Sequence, residues 1–188
     1  METAFLMPAV GRGIIRLFWR RLKDEGKRCT LMGIDVSKDA LTAAEKRRAD
    51  LLLAVASVFH LPVEDESVSL VWNIFAPAAG EEYSRVLRRG GHLIRVFPLE
   101  EHLMGLKELV YETVYPNRPQ VLAFDGLELL EHHELRETLT LTDPEEIAAL
   151  FAMTPYYYKT SAEDQAKLAQ VQTLSTPIAF GISVYRKK

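Results

Sequence analysis

The stretch GIDVSKDAL, Gly33 to Leu41, sets one acid, Asp35, between an apolar run and a segment of helical character. An aspartate at the carboxyl end of a strand can accept hydrogen bonds from both hydroxyls of a ribose, which is how doubly wound sheets hold adenosine cofactors. Read alone, the same residue is equally a turn aspartate. Near the amino terminus GRG offers Gly11 and Gly13, residue types that let a backbone approach a ligand closely. A lone glycine pair before a basic helix is weak evidence for that use. The histidines do not share metal-ligand spacing: His132 and His133 read as surface residues, His60 equally as a residue at the edge of an adenine or a partly buried structural one, and His102 as a polar residue at a helix start. The single Cys29 gives no internal disulfide and no cysteine-rich zinc module, and reads as a small buried strand residue.

These residues need elements to hold them. AFLMPAV reads as a first strand, and the pattern from Arg16 to Asp24 predicts a helix, with Gly26 just past its end. CTLMGID predicts a buried strand, and Ser37 caps the helix that follows, SKDALTAAEKRRA. LLLAVAS and VSLVWNIF are further strands around the acidic turn PVEDES, and a helix runs from Gly80 to Leu87. RRGG reads as a tight turn before the strand HLIRVF. Leu103, Leu106 and Val110 give Glu101 to Tyr111 a helical period. Beyond Pro116 come a loop, the strand HELRETLTL, a helix capped by Asp143 with Pro144 in its first turn, a helix begun by Ser161, and the closing strand IAFGISVY. Alternating strands and helices imply a Rossmann-like, doubly wound α/β fold: a mostly parallel sheet with helices on both faces and an antiparallel C-terminal strand. Ligands in such sheets sit at the carboxyl ends of the strands.

The 188 residues, 48% hydrophobic and 26% charged, suit one soluble domain over residues 1–188. Apolar runs such as LLLAVASVF are too short to span a bilayer, and the amino terminus lacks a secretory pattern. The expectation is a cytoplasmic protein without a membrane segment. A net charge of −3 gives no global argument for nucleic acid, although Arg16, Arg20, Arg21, Lys23, Lys27 and Arg28 form a local basic cluster.

The order GIDVSK, then ASVFHLPVEDESVSLVWNIFAP, then RVLRRGGHLIRV resembles Rossmann-like methyltransferases that use S-adenosylmethionine. Within them the chain is most similar to the ribosomal RNA guanine-N1 methyltransferases of the large subunit, on the pieces GIDVSK, IFAP, HLMGLK and MTP. The resemblance covers most of the chain, and HLMGLK and MTPYYYK are its specific parts. It implies S-adenosyl-L-methionine as cofactor, ribosomal RNA as substrate and methyl transfer to a guanine ring nitrogen. It implies that Asp35 binds the cofactor ribose, that Ser57 lies near the adenine and that His102 contacts the cofactor. Phe75 and Pro77, in FAP after the fourth strand, would position the target base. The family commonly has tyrosine where this chain has Phe75, so a hydroxyl role is not carried over. Transfer needs in-line approach of the nitrogen to a methyl carbon, and positioning can supply most of the rate. The nitrogen must also lose its proton, and no residue is assigned as that base. Tyr156, Tyr157 and Tyr158 are candidates for stacking on the target base, with core packing as the plainer reading.

The resemblance departs at the amino terminus. The family's small zinc module has no counterpart in this sequence, so the chain reads as a truncated form with no bound metal. The family's first strand and loop read like VLDxGCGEGYY. Register sets Gly11 and Gly13 on the last two loop glycines, while Ala9, Val10 and Arg12 replace a glycine, a cysteine and a glutamate. Arg12 brings a cation to a ligand that carries a sulfonium, so weakened cofactor affinity is expected. Read one nucleotide earlier with suitable synonymous codons, METAFLMPAVGRGIIR can encode GDGVLDAGCGEGYYS. Residues 1–19 are therefore read as atypical, the product of a shifted frame that returns near Trp19. The alternatives to the ribosomal RNA reading are a small-molecule methyltransferase and a non-catalytic, methyltransferase-like binding module.

Overall fold

The computed structural model describes residues 3–8, 29–46, 52–157 and 160–188. In chain order these form β1 (Thr3–Pro8), β2 (Cys29–Asp35), α1 (Lys38–Glu45), β3 (Leu52–Val55), β4 (Val68–Ile74), α2 (Gly80–Val86), β5 (Leu87–Pro98), α3 (Met104–Val110), β6 (Leu127–Leu141), α4 (Pro144–Ala152), α5 (Ala162–Leu168) and β7 (Leu174–Lys187). The helix expected over residues 16–24 lies outside the described residues. No helix among the described residues is long and apolar enough to cross a membrane.

One seven-stranded sheet runs in the order β3-β2-β1-β4-β5-β7-β6. β1 pairs parallel with β2 from Thr3 opposite Cys29 to Pro8 opposite Ile34, and parallel with β4 through Phe5 and Leu6. β2–β3 and β4–β5 are parallel as well. The chain doubles back at its end: the Leu99 amide donates to the Ala179 carbonyl, and Lys188 reaches back to Gly126, so β7 is antiparallel. This is the Rossmann-like, mostly parallel fold with an antiparallel C-terminal strand that the alternation predicted. The order reverses between β1 and β4, and open sheets of this kind bind ligands at such a switch point.

The described residues cluster into two compact units. One lies within Met1–Phe97, Val121–His133 and Ile182–Lys188, the other within Pro98–Gln120 and Glu134–Gly181. The core of the first is built on Ile34, Val71, Val86, Leu87 and Leu93, all fully buried, with Tyr83 and Tyr185. Each such aliphatic side chain contributes roughly 1.5–3 kcal/mol by leaving water. The second has its own core of Leu106, Val110, Ile147, Phe151 and Leu168.

Local chemistry sets the helix starts. The Ser37 hydroxyl accepts from the Ala40 amide at 3.2 Å, Asp143 from Glu145 at 2.8 Å and Ser161 from Asp164 at 3.1 Å. Each satisfies a donor that the first turn leaves over. α3 starts at Met104, later than its apolar period suggested, because Leu103 sits in the left-handed region at φ 56, where a helix cannot continue. RRGG is not a turn ahead of a separate strand: β5 runs continuously from Leu87. Pairing nevertheless jumps from Val68–Leu87 to Leu70–His92, so Arg88 to Gly91 form a bulge, and Gly90 supplies the φ of 71 it needs. β6 begins at Leu127, six residues before HELRETLTL, because Leu129–Leu130 and His132–His133 interrupt the period without interrupting the ladder.

Candidate functional site

The parallel pairings of the first unit bring the ends of β2, β3 and β4 to one edge of the sheet. Asp35 closes β2 opposite Val55 of β3, and the Ala56 amide donates to the Asp35 carbonyl at 3.1 Å. The acid and the segment carrying Ser57 are thereby fixed side by side. Asp35 is half-buried, and its Oδ1 accepts from the Ser37 amide at 2.9 Å. The aspartate thus serves both readings of the sequence: it shapes the turn that launches α1, and it sets a carboxylate at the strand end. Ser57 is exposed. Its hydroxyl oxygen accepts from Phe59 at 3.2 Å and its carbonyl from the His60 amide at 3.0 Å, so it organises the turn after β3.

Apolar side chains stand exposed around these two residues: Val36 at 73%, Val55 at 60% and Phe59 at 58%. Sequence reasoning passed over them. The signal present was an apolar residue directly after the strand-end acid, in a place where a core residue was not needed. An exposed apolar rim beside a carboxylate suits a ligand with a flat apolar face and a polyhydroxyl group.

The loop after β3 is clamped from α2. Arg85 donates through Nη2 to the Leu61 carbonyl at 3.0 Å and through Nη1 to the Val63 carbonyl at 2.8 Å and Asp65 at 2.7 Å. Glu82 takes Arg85 through both oxygens and also accepts the Leu61 amide at 2.8 Å. Hydrogen bonding from Arg85 holds the Glu82 carboxyl at about 2, against the opposing pull of burial. One bidentate pair therefore fixes Leu61, Val63 and Asp65 at once.

At the end of β4 the chain turns sharply. Phe75 has φ 53 and is 51% exposed. A side-chain-bearing residue in that region costs of order 1–3 kcal/mol, held in place by its surroundings. Its amide donates to the Val96 carbonyl at 3.0 Å. The Pro77 carbonyl receives two donors, Asn73 Nδ2 and the Tyr83 hydroxyl, each at 2.9 Å. Asp35, Ser57, Phe75 and Pro77 thus all follow or close parallel strands of the first unit, at their carboxyl ends. Gly11 and Gly13 lie outside the described residues.

His102 belongs to the second unit. Its Nδ1 accepts from the Ala179 amide at 3.3 Å, and its ring lies 4.7 Å from that of Phe180 at a 50° tilt. Burial, aided by the Lys107 charge, lowers it to about 4. It is therefore neutral near pH 7, with the proton on Nε2. Lys107, in the same HLMGLK stretch, is buried on α3. Its Nζ donates to Asn117 Oδ1 at 2.8 Å and lies 5.4 Å from the Tyr156 ring centre. Tyr156 packs edge-on against Tyr111, 6.2 Å between ring centres, in the core of that unit. The packing reading thus holds for Tyr156; Tyr157 is partly exposed and Tyr158 lies outside the described residues. His132 is not a free surface residue: it stacks on Phe97 and pairs with Ser183 at 3.0 Å. Among the described residues no group of three or more His, Cys, Asp or Glu is placed to hold a metal ion.

Comparison with known proteins gives likenesses in sequence and in fold. A family described as a methyltransferase domain matches residues 6–95. YxjB of Bacillus subtilis, which carries the provisional name 23S rRNA (guanine-N(1)-)-methyltransferase, is 30% identical over 167 residues, covering 86% of this chain and 59% of that protein. The 23S rRNA (guanine(748)-N(1))-methyltransferase of Streptomyces fradiae is 31% identical over 139 residues, 71% of this chain and 49% of that protein. The chain thus spans between about half and three fifths of the length of these relatives. Among solved structures, a methyltransferase-type protein of Bacillus halodurans superposes with a TM-score of 0.60 at 17% identity, over 99% of this chain and 93% of that one. A geranyl diphosphate methyltransferase in complex with SAM gives 0.56 at 16% identity, over 100% and 79%. At such identities the structural likeness speaks for the fold.

Proposed function

We propose that this chain, a class I methyltransferase domain resembling the 23S ribosomal RNA guanine-N1 methyltransferases, transfers the methyl group of S-adenosyl-L-methionine to N1 of a guanine in ribosomal RNA. The observation that carries the reading is Asp35: a half-buried carboxylate at the carboxyl end of β2, fixed beside the end of β3, in a chain whose sequence relatives bear that name. The donor set suits the cofactor. Asp35 would accept the ribose hydroxyls, the exposed Val36 would offer an apolar surface to a flat base, and Ser57 with the clamped loop after β3 would border the adenine. Gly11 and Gly13 would carry the backbone approach. When bound, the cofactor supplies a methyl carbon made electrophilic by its sulfonium.

The residues of this chain then orient rather than react. Phe75 and Pro77 present the turn after β4 to the incoming base, with the exposed Phe75 ring as an apolar surface on which an unstacked guanine can rest. Holding the nitrogen in line with the methyl carbon is worth many orders of magnitude in effective concentration. Titration calorimetry with S-adenosylmethionine, followed by labelled-methyl transfer to 23S ribosomal RNA and identification of the modified nucleoside, tests the reading. Binding with formation of 1-methylguanosine supports it; no binding at millimolar cofactor, or a methyl group on another atom, overturns it.

A further inference from the structure

The turn that carries Phe75 is held by two buried polar residues, each bonded to the Pro77 carbonyl. Asn73 on β4 and Tyr83 on α2 are both 0% exposed. Asn73 Nδ2 donates to the Pro77 carbonyl at 2.9 Å and also contacts the Tyr83 hydroxyl, while that hydroxyl donates to the same carbonyl at 2.9 Å. Two donors from two different elements therefore converge on one backbone oxygen, and the residue between the anchors is the one with positive φ. The Asn73 amide is incompletely used: Oδ1 is buried without a hydrogen-bond partner among the described residues. An apolar side chain would avoid that cost, so what recommends asparagine at this position is its amide donor. Burial raises the Tyr83 phenol, which keeps it protonated and donating throughout the neutral range.

We infer that Asn73 and Tyr83 are positioning residues for methyl transfer, holding the Phe75–Pro77 turn in the strained shape that receives the target base. The inference rests on the function proposed above and goes beyond it, since that reading gives neither residue a role. Both act through the Pro77 carbonyl, so their effects on the turn are not independent.

The test uses the full chain with Tyr83→Phe, which deletes one oxygen, and Asn73→Leu, which keeps the branched heavy-atom shape while removing the amide. Hydrogen exchange of the Phe75 amide, which donates to the Val96 carbonyl, reads the turn directly and needs neither cofactor nor RNA. It is expected to accelerate roughly tenfold or more in each variant, with the amides of β2 unchanged. In methyl transfer to 23S ribosomal RNA, kcat should fall roughly 10- to 100-fold while the cofactor Kd and the RNA KM hold, as befits lost alignment rather than lost binding. The double variant should lose little more than the worse single one. Exchange at Phe75 equal to that of the parent chain, or accelerated exchange with kcat intact, overturns the inference. A parent chain that neither binds cofactor nor methylates RNA sinks the function proposed above, and exchange alone then decides whether these residues set the turn.

Discussion

Asp35 has two tasks that substitution can separate. Asp35→Asn keeps an oxygen for the Ser37 amide and removes the charge offered to a ribose. We expect S-adenosylmethionine affinity to fall roughly tenfold or more, the worth of a charge-assisted hydrogen bond, with the melting temperature little changed. Unaltered affinity in calorimetry would show that the carboxylate does no more than shape the turn. His102 makes a different prediction. Its folded value of about 4 lies below the ordinary 6.5, so the fold favours the neutral ring, and the unfolded chain binds the extra proton between those values. Its share of stability is complete above about pH 6.5 and is lost as pH falls toward 4. Denaturant titrations across that window should show a smaller pH slope for His102→Asn, whose amide oxygen can take the Ala179 hydrogen bond without titrating. Single residues were legible in the sequence where their partners are two or three positions away, as with the Ser37, Asp143 and Ser161 caps. Asn73 and Tyr83, ten residues apart on different elements, leave no such period to read.

At the scale of elements, the loop after β3 depends on α2. The folded Glu82 value of about 2 lies below the ordinary 4.5, so the stability it contributes is present above pH 4.5 and is lost as pH falls from there toward 2. Glu82→Gln should remove that part of the acid-unfolding profile. Arg85→Met should speed exchange of the Leu61 and Val63 amides; unchanged exchange would contradict the clamp. In sequence, Glu82 and Arg85 look like ordinary charges on a solvated helix face, and only the fold shows the backbone carbonyls they hold. Gly105 tests packing in the second unit. A Cβ there would meet the Ser175 carbonyl oxygen at 2.5 Å and Thr176 Cβ at 3.2 Å, so Gly105→Ala should destabilise by about 1–3 kcal/mol despite the better helix propensity of alanine. Chemical denaturation measures it. Element types followed from apolar period, whereas limits failed where backbone conformation overrode it: left-handed Leu103 delays α3, and the Arg88–Gly91 bulge hides inside β5.

For the whole molecule, alternation of strands and helices sufficed to predict a mostly parallel sheet, and the order β3-β2-β1-β4-β5-β7-β6 adds what alternation cannot give, the switch point between β1 and β4. Length suggested one domain, and the described residues cluster into two compact units with separate cores, a division that depends on contacts between distant segments. The segment Thr3–Pro8 takes an interior place in the sheet, between β2 and β4, through backbone pairing with both. The central claim is a methyl transfer, and one measurement addresses it most directly: the full chain is incubated with saturating labelled S-adenosylmethionine and unmodified 23S ribosomal RNA, and the digested nucleosides are identified by mass. Label in 1-methylguanosine is the predicted result. Label in another nucleoside, or none at saturating cofactor, would contradict the account.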